Sequence, residues 1–247
     1  MKVRTLTGIV DAHTHAIEYT EEDWRKIEEL SPLLIVSVGE DLESSRRSVE
    51  LKEERPFVLP CVGVHPWRVS DVSLSEVKAV KELAEDLGVS CIGEVGLDTK
   101  FVPETLERQR RVFAELVELA EELGAVLNVH AAGAWREVLE FLERSEIERA
   151  VFHWYTGPID LLERAVERGF YFSINVAARL QERHRAVAKA VPLDKILTES
   201  DGPYEYRGAR LSTTMIPDLV SLLAELRGED EATLVDAVRR NARRLFG

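Results

Sequence analysis

SCIGEVGLDTKFVPETLERQRRVFAELVELAEELGAVLNVH, residues 90–130, reads as strand, helix, strand. The runs at 90–94 and 126–130 are short and continuously apolar, the pattern of strands buried on both faces. Between them, Leu106, Val112, Phe113, Leu116, Leu119, Ala120 and Leu123 recur at helical spacing. Such a βαβ unit makes two parallel neighbours in one sheet. The same rhythm continues in both directions. Strand candidates lie at 8–11, 33–38, 58–64, 90–94, 126–130, 150–153, 171–174 and 196–199. Helical stretches lie at 41–55, 74–87, 104–123, 135–144, 159–168, 180–190 and 217–226, with a last helix near 231–245. Eight units in 247 residues predict an α/β chain forming a single (β/α)8 TIM barrel over residues 1–247. An open doubly wound sheet is the alternative, but no glycine-rich phosphate loop follows the first strand. No Gly-, Pro- or Ser-rich linker marks a domain boundary.

Composition narrows the partners. A net charge of −13 argues against broad, tight nucleic-acid binding, since nonspecific affinity comes from cations neutralising phosphates. A polyanion bound weakly and locally is still allowed if metal ions reverse the field at the site. Asn and Gln number only five (Gln109, Asn128, Asn175, Gln181 and Asn241), a bias shared with proteins from hot environments. Cys61 and Cys91 each sit in an apolar run and read as buried, reduced thiols of a cytoplasmic protein. The N-terminus carries no apolar stretch of a secretory signal. No run approaches the roughly 20 apolar residues that span a bilayer, so no membrane partner is expected. No obligate protein partner is evident.

In a (β/α)8 barrel the chemistry sits where strands end and βα loops begin. Strand 1 runs into Asp11-Ala12-His13-Thr14-His15, whose imidazoles, two apart on extended chain, point the same way. Strand 3 runs into His65-Pro66, strand 4 into Glu94 and Asp98, strand 5 ends at His130, strand 6 at His153, and strand 8 runs into Asp201-Gly202-Pro203. Five of the six histidines thus fall on one rim, and only His184, between Arg183 and Arg185, reads as an exposed helix residue. Packing histidines would not choose one rim. His13, His15, His130, His153, Glu94 and Asp201 exceed the needs of one four-coordinate ion and suit two divalent ions joined by Glu94. Mixed nitrogen and oxygen donors favour Zn²⁺, with Mg²⁺, Mn²⁺ or Co²⁺ in a more oxygen-rich position. A water held between two such ions becomes hydroxide near neutral pH, and Asp201 would serve as its general base. The plain alternatives are a buried ion pair for Glu94 and a turn cap for Asp201.

The series resembles the TatD family of metal-dependent hydrolases, also described as TatD-related DNases, within the amidohydrolase superfamily. DAHTH, GVHP, GEVGLD, the strand-5 histidine, HWYTG, TESDGP and the terminal NARRLF carry the likeness across the chain. It implies that His13, His15, Glu94 and Asp201 hold one metal, while Glu94, His130 and His153 hold the second. It also implies phosphodiester hydrolysis, typically of DNA from a 3′ end. Related members deacylate D-aminoacyl-tRNA, an ester-hydrolase alternative that metal ligands alone do not separate. A noncatalytic metal-binding scaffold is a third reading. The family often carries His-x-Arg after strand 5, where this chain has His130-Ala131-Ala132; its Asn-Glu-Pro block is replaced by Thr214-Met215-Ile216-Pro217, and Ser200 stands where threonine is usual.

Around this centre, Glu94 and His65 join Asp201 as candidate catalytic residues. His65 is placed near the mouth, free of metal, to bind substrate or stabilise a developing anion, or else to anchor its loop. Trp67, Trp154 and Tyr155 either stack on a base or sugar or pack beneath the loops. Arg207 and Arg210 are candidates for the phosphate contact that Ala132 cannot make. Asp11 and Asp98 read as partners that orient an imidazole, Asp98 alternatively as a partner of an arginine.

Overall fold

The structure, a computed structural model, describes residues 7–247; the N-terminal residues 1–6, read above as lacking a signal, lie outside the described residues. Eight parallel strands follow in chain order: β1 (Val10–Thr14), β2 (Leu34–Val38), β3 (Val58–Cys61), β4 (Cys91–Gly96), β5 (Val126–His130), β6 (Ala150–Phe152), β7 (Tyr171–Asn175) and β8 (Ile196–Glu199). Their ladders form runs β1-β2-β3 and β4-β5-β6-β7-β8. The seam between β3 and β4 is bridged at Val62 and Ile92, with Gly93 N–H donating to Val62 O at 2.8 Å. Between β8 and β1, Thr198 Oγ1 donates to Val10 O and Asp201 N–H to His13 O, 2.6 and 3.0 Å. These contacts bring the two runs together at both seams, the arrangement of a (β/α)8 barrel.

Helices α1 (Glu21–Glu28), α2 (Leu42–Glu54), α3 (Leu74–Leu87), α4 (Leu106–Leu123), α5 (Trp135–Arg144), α6 (Ile159–Glu167), α7 (Glu182–Ala190), α8 (Ile216–Arg227) and α9 (Glu231–Phe246) surround the strands. The heptad-like stripe of α4 buries Val112, Phe113, Leu116, Leu119 and Ala120. The helix stops at Gly124, which takes a left-handed φ of 58° that a side chain would resist. The eight-residue α1 was not anticipated, because only Trp24 and Ile27 give it an apolar face; its signal was the Thr20–Asp23 capping box. The hairpin β9 (Glu205–Tyr206) and β10 (Ala209–Arg210), in the loop after β8, was also missed.

Two glycines explain why the GEVG segment carries the centre. A Cβ on Gly96 would lie 1.8 Å from His130 O, and one on Gly93 would lie 2.7 Å from the Asn128 Cβ. Only glycine lets β4 lie this close to β5, which brings Glu94 beside His130 and Asn128. The strands differ from expectation mainly at their ends: β1 extends to Thr14, so His13 lies inside it, and β3 ends at Cys61 rather than at 64.

Two expectations are corrected. Cys61 and Cys91 are not free thiols but a disulfide, with Cα atoms 4.6 Å apart. Their side-by-side position follows from the register of β3 on β4, which neither apolar run discloses. His184 is not exposed: it is fully buried, on the α7 face that also buries Val187 and Ala188. Its Nε2 accepts the Asn175 N–H at 2.8 Å, and its Nδ1 donates to Tyr155 O at 2.9 Å. Burial pushes the ring down to about 4 from 6.5. Unfolding therefore takes up a proton between these pH values. The His184 contribution to stability is whole above pH 6.5 and is lost as the pH falls to 4, roughly 3 kcal/mol in all. Urea unfolding from pH 7 to 4 should show a shallower loss in His184→Gln than in wild type; parallel curves would contradict this. Among the described residues no helix is long and apolar enough to cross a membrane.

Candidate metal centre

The two oxygens of Glu94, a residue 1% exposed, face different clusters. On one side Oε2 lies 3.2 Å from His13 Nε2 and 3.7 Å from His15 Nε2, while Asp201 Oδ1 lies 3.3 Å from both imidazoles. On the other, Oε1 lies 2.7 Å from His130 Nδ1, 2.8 Å from His153 Nε2 and 3.1 Å from His65 Nε2. His13 stacks on His153 with ring centres 3.9 Å apart, so the clusters are contiguous. Donor atoms of His13, His15 and Glu94, of His13, His153 and Asp201, and of His65, Glu94 and His130 each lie within 4.8 Å of one another.

This donor set fits cations. His13 Nε2, Glu94 Oε2 and Asp201 Oδ1 are buried and make no hydrogen bond, although they converge. Native proteins rarely leave such atoms unpaired without a reason. Buried carboxylates among imidazoles also make the spot favourable for positive charge. Burial opposes a charged Glu94, yet His65, His153 and His13 outweigh it and hold the carboxyl well below its usual range. Asp201 is lowered too, its burial penalty outweighed by His13 and His15. Burial disfavours protonated imidazoles, but Asp201 raises His15 to about 9, and Asp98 with Glu94 does the same for His130.

Hydrogen bonds behind the rings decide which nitrogen faces the centre. Asn128 Nδ2 donates to Ala12 O at 2.9 Å, so its Oδ1 must accept from His13 Nδ1–H at 2.8 Å. That leaves the Nε2 lone pair of His13 aimed inward. Asp98 Oδ2 lies 3.0 Å from His130 Nε2 and also accepts from Trp67 Nε1 at 2.6 Å, leaving His130 Nδ1 for the centre. Among the described residues Asp98 pairs with the imidazole and with no arginine. His153 Nδ1 faces Glu199 Oε1 at 3.7 Å, and Glu199 accepts from Ser173 Oγ and Asn175 Nδ2.

His65 differs. It lines the cavity, yet it is only 4% exposed, its ring folded inward where Pro66 begins a 3-10 turn. Its Nδ1 accepts the Trp67 N–H at 3.0 Å, which puts the proton of the neutral ring on Nε2, the nitrogen beside Glu94 Oε1. Burial pushes its pKa down to about 4, so the ring stays neutral. A protonated Nε2 is a donor to Glu94, which separates His65 chemically from the other four rings.

The centre opens into a cavity of about 230 Å³ that also exposes Trp67 and Trp154. Other expected contacts lie elsewhere. Tyr155 is buried beneath the loops, its hydroxyl donating to Pro158 O at 2.6 Å. Arg210 is held by both oxygens of Asp23 at 2.9 and 3.0 Å, and Arg207 donates to Leu180 O. Neither arginine lines the cavity; the hairpin turns them onto α1 and α7's approach instead of inward. Lys100 does line it. Asp11, expected behind an imidazole, instead accepts from Ser200 Oγ and Thr213 Oγ1, both 2.6 Å, tying β1 to the last loop.

Sequence reasoning missed Glu40, Lys100, Phe101, Trp135, Gln181, Tyr204 and Tyr206 in the wall. Glu40 was within reach of the same strand-end rule, since it follows β2, and its Oε1 lies 3.9 Å from His15 Nδ1. The rarity of amides was a second signal: Gln109, Asn128, Asn175 and Asn241 are buried, and Gln181 faces the cavity.

A carboxylate flanked by two imidazole clusters at the strand ends of a (β/α)8 barrel defines the class of metal-dependent hydrolases. The chain belongs to the TatD-related DNase family, whose sequence model matches residues 10–247. It is 29% identical to the 3′-5′ ssDNA/RNA exonuclease TatD of Escherichia fergusonii, with 86% of each chain covered. It is 27% identical to the deoxyribonuclease TATDN3 of Homo sapiens, over 97% of this chain and 94% of that one. The crystal structure of YJJV, a TatD homologue from Escherichia coli K12, superposes with a TM-score of 0.89 at 21% identity and 98% coverage of both. That superposition supports the barrel, and the family membership makes the chain a metal-dependent hydrolase acting on ester bonds.

Proposed function

We propose that the chain hydrolyses phosphodiesters of single-stranded nucleic acid from a 3′ end, using two divalent cations. The observation that carries this reading is Glu94, whose Oε2 and Oε1 each face a separate nitrogen cluster. His13, His15, Glu94 and Asp201 would hold one ion, and Glu94, His130 and His153 the other. Bound there, Zn²⁺, Mg²⁺, Mn²⁺ or Co²⁺ would supply Lewis acidity and a water acidified towards neutral pH. The protein's own groups do the rest. Asp201 accepts the proton of the attacking water through a carboxylate that no hydrogen bond occupies at Oδ1. His65, neutral and protonated at Nε2, donates its one N–H to Glu94 and holds that carboxylate in place. Asp98 and Asn128 keep His130 and His13 from rotating.

The nucleic-acid substrate is supported by the nuclease names of the relatives and by a cavity that combines aromatic rings with Lys100. Lys100 takes the phosphate-contacting role that Ala132 cannot. Lys100→Ala should raise KM for an oligonucleotide by up to about 5-fold. It should also flatten the dependence of log KM on log salt by about 0.7. An unchanged salt slope would count against the contact. End-labelled single-stranded DNA incubated with metal-loaded protein should shorten stepwise from the 3′ end. No turnover, or shortening from the other end, would contradict the reading.

A second reading rests on the small Ala131 and Ala132 in the wall, which among the described residues offers a polyanion Lys100 and no guanidinium. It assigns ester hydrolysis of a D-aminoacyl-tRNA to the same centre. Turnover of charged tRNA exceeding that of DNA would favour it.

A further inference from the structure

We propose that Trp154 and Tyr204, braced by Gln181 and Tyr206, form a stacking platform for the base beside the scissile phosphate. This rests on the nucleic-acid reading above and adds to it a base-binding subsite. The platform is attached to the centre itself: Trp154 directly follows His153, and Tyr204 lies three residues after Asp201.

Its construction is rigid. The indole Nε1–H of Trp154 donates to Gln181 Oε1 at 2.9 Å, and Gln181 Nε2–H donates to the Tyr206 hydroxyl at 2.6 Å. An indole can only donate, so the Gln181 amide has one orientation, and it links α7's leading residue to the loop after β8. Trp154 meets Tyr206 edge to face with centres 5.2 Å apart, and Tyr204 at 6.3 Å. Tyr206 is backed by the Arg207 guanidinium at 5.3 Å, which fits it for bracing rather than for stacking. Tyr204 is 40% exposed, and both Trp154 and Tyr204 line the cavity.

The backbone points the same way. Trp154 holds a left-handed φ of 39° and Asp201 one of 55°. For a bulky ring this is a sparsely populated conformation, retained where the surroundings over-determine it and function requires a particular aim. Here it turns Trp154 from the barrel wall into the cavity that holds the centre. An aromatic face beside a phosphate-cleaving site suits a planar base, which any sequence supplies.

The test compares kcat/KM for a single-stranded decamer with its terminal base present or replaced by hydrogen, at either end. Wild type should prefer the base-bearing decamer by roughly 5- to 150-fold, the range of base–aromatic stacking. Trp154→Ala should bring that ratio close to one, and Gln181→Leu should lower it part of the way. Tyr204→Ala, at an exposed ring, repeats the test if thermal melts show Trp154→Ala to be unfolded. Turnover by wild type with the same ratio in all variants would overturn the platform alone. Absence of wild-type turnover on every decamer would overturn the nucleic-acid reading and the platform with it.

Discussion

Asp201→Asn should lower kcat by about 10²–10⁴-fold at saturating metal, the range lost when a positioned general base is removed. The substitution keeps the shape of a residue only 7% exposed and removes its charge. Asp201 Oδ1 is one of three buried, unpaired atoms at the centre, and it lies 3.3 Å from both His13 Nε2 and His15 Nε2. In the proposed mechanism it joins two roles, holding a cation and taking a proton, in one oxygen-bearing group. An amide retains an oxygen for the first role and has no basicity for the second. Single-turnover rates with excess metal separate them. A variant within tenfold of wild type under those conditions would remove Asp201 from the chemistry.

Glu94→Gln should have a wider effect. Glu94 is the one side chain shared by the two clusters, and its negative charge offsets the crowding of five imidazoles around it. A glutamine turns one of the two oxygens into an NH₂ group, which has no lone pair for a cation and, at the Oε1 position, would meet the Nε2–H of His65 donor to donor. Metal content should fall from two ions per chain to one or none. Activity should fall on the order of 10³-fold or more, as Lewis-acid stabilisation worth several kcal/mol is lost. Elemental analysis after dialysis, beside the turnover rate, reads both. Two ions retained with near-native turnover would contradict the bridging role.

How far the sequence discloses such a molecule depends on what kind of distance an inference must cross. The βα rhythm is local, and α3 and α5 fall on the stretches that periodicity marks. The ring of strand-end histidines is also legible, because in this architecture a position along a strand is a position on the rim. His13, His15, His65, His130, His153, Glu94 and Asp201 all come together. What fails is whatever depends on how loops fold over one another. Arg210 was expected inward, yet Asp23, 187 residues away, claims it. Tyr204 and Tyr206 reach the cavity through a hairpin that no strand pattern announces. His184 looked exposed because arginines flank it, whereas helical spacing to Val187 and Ala188 gives its true direction. The Cys61–Cys91 bond depends on the register of neighbouring strands, which short apolar runs leave open.

Anomalous diffraction from crystals grown with Zn²⁺ or Mn²⁺ measures the central claim most directly. The account predicts two peaks, one among His13, His15, Glu94 and Asp201 and the other among Glu94, His130 and His153, with His65 Nε2 bonded to neither. A single peak, a peak ligated by His65, or empty clusters in active protein would contradict it.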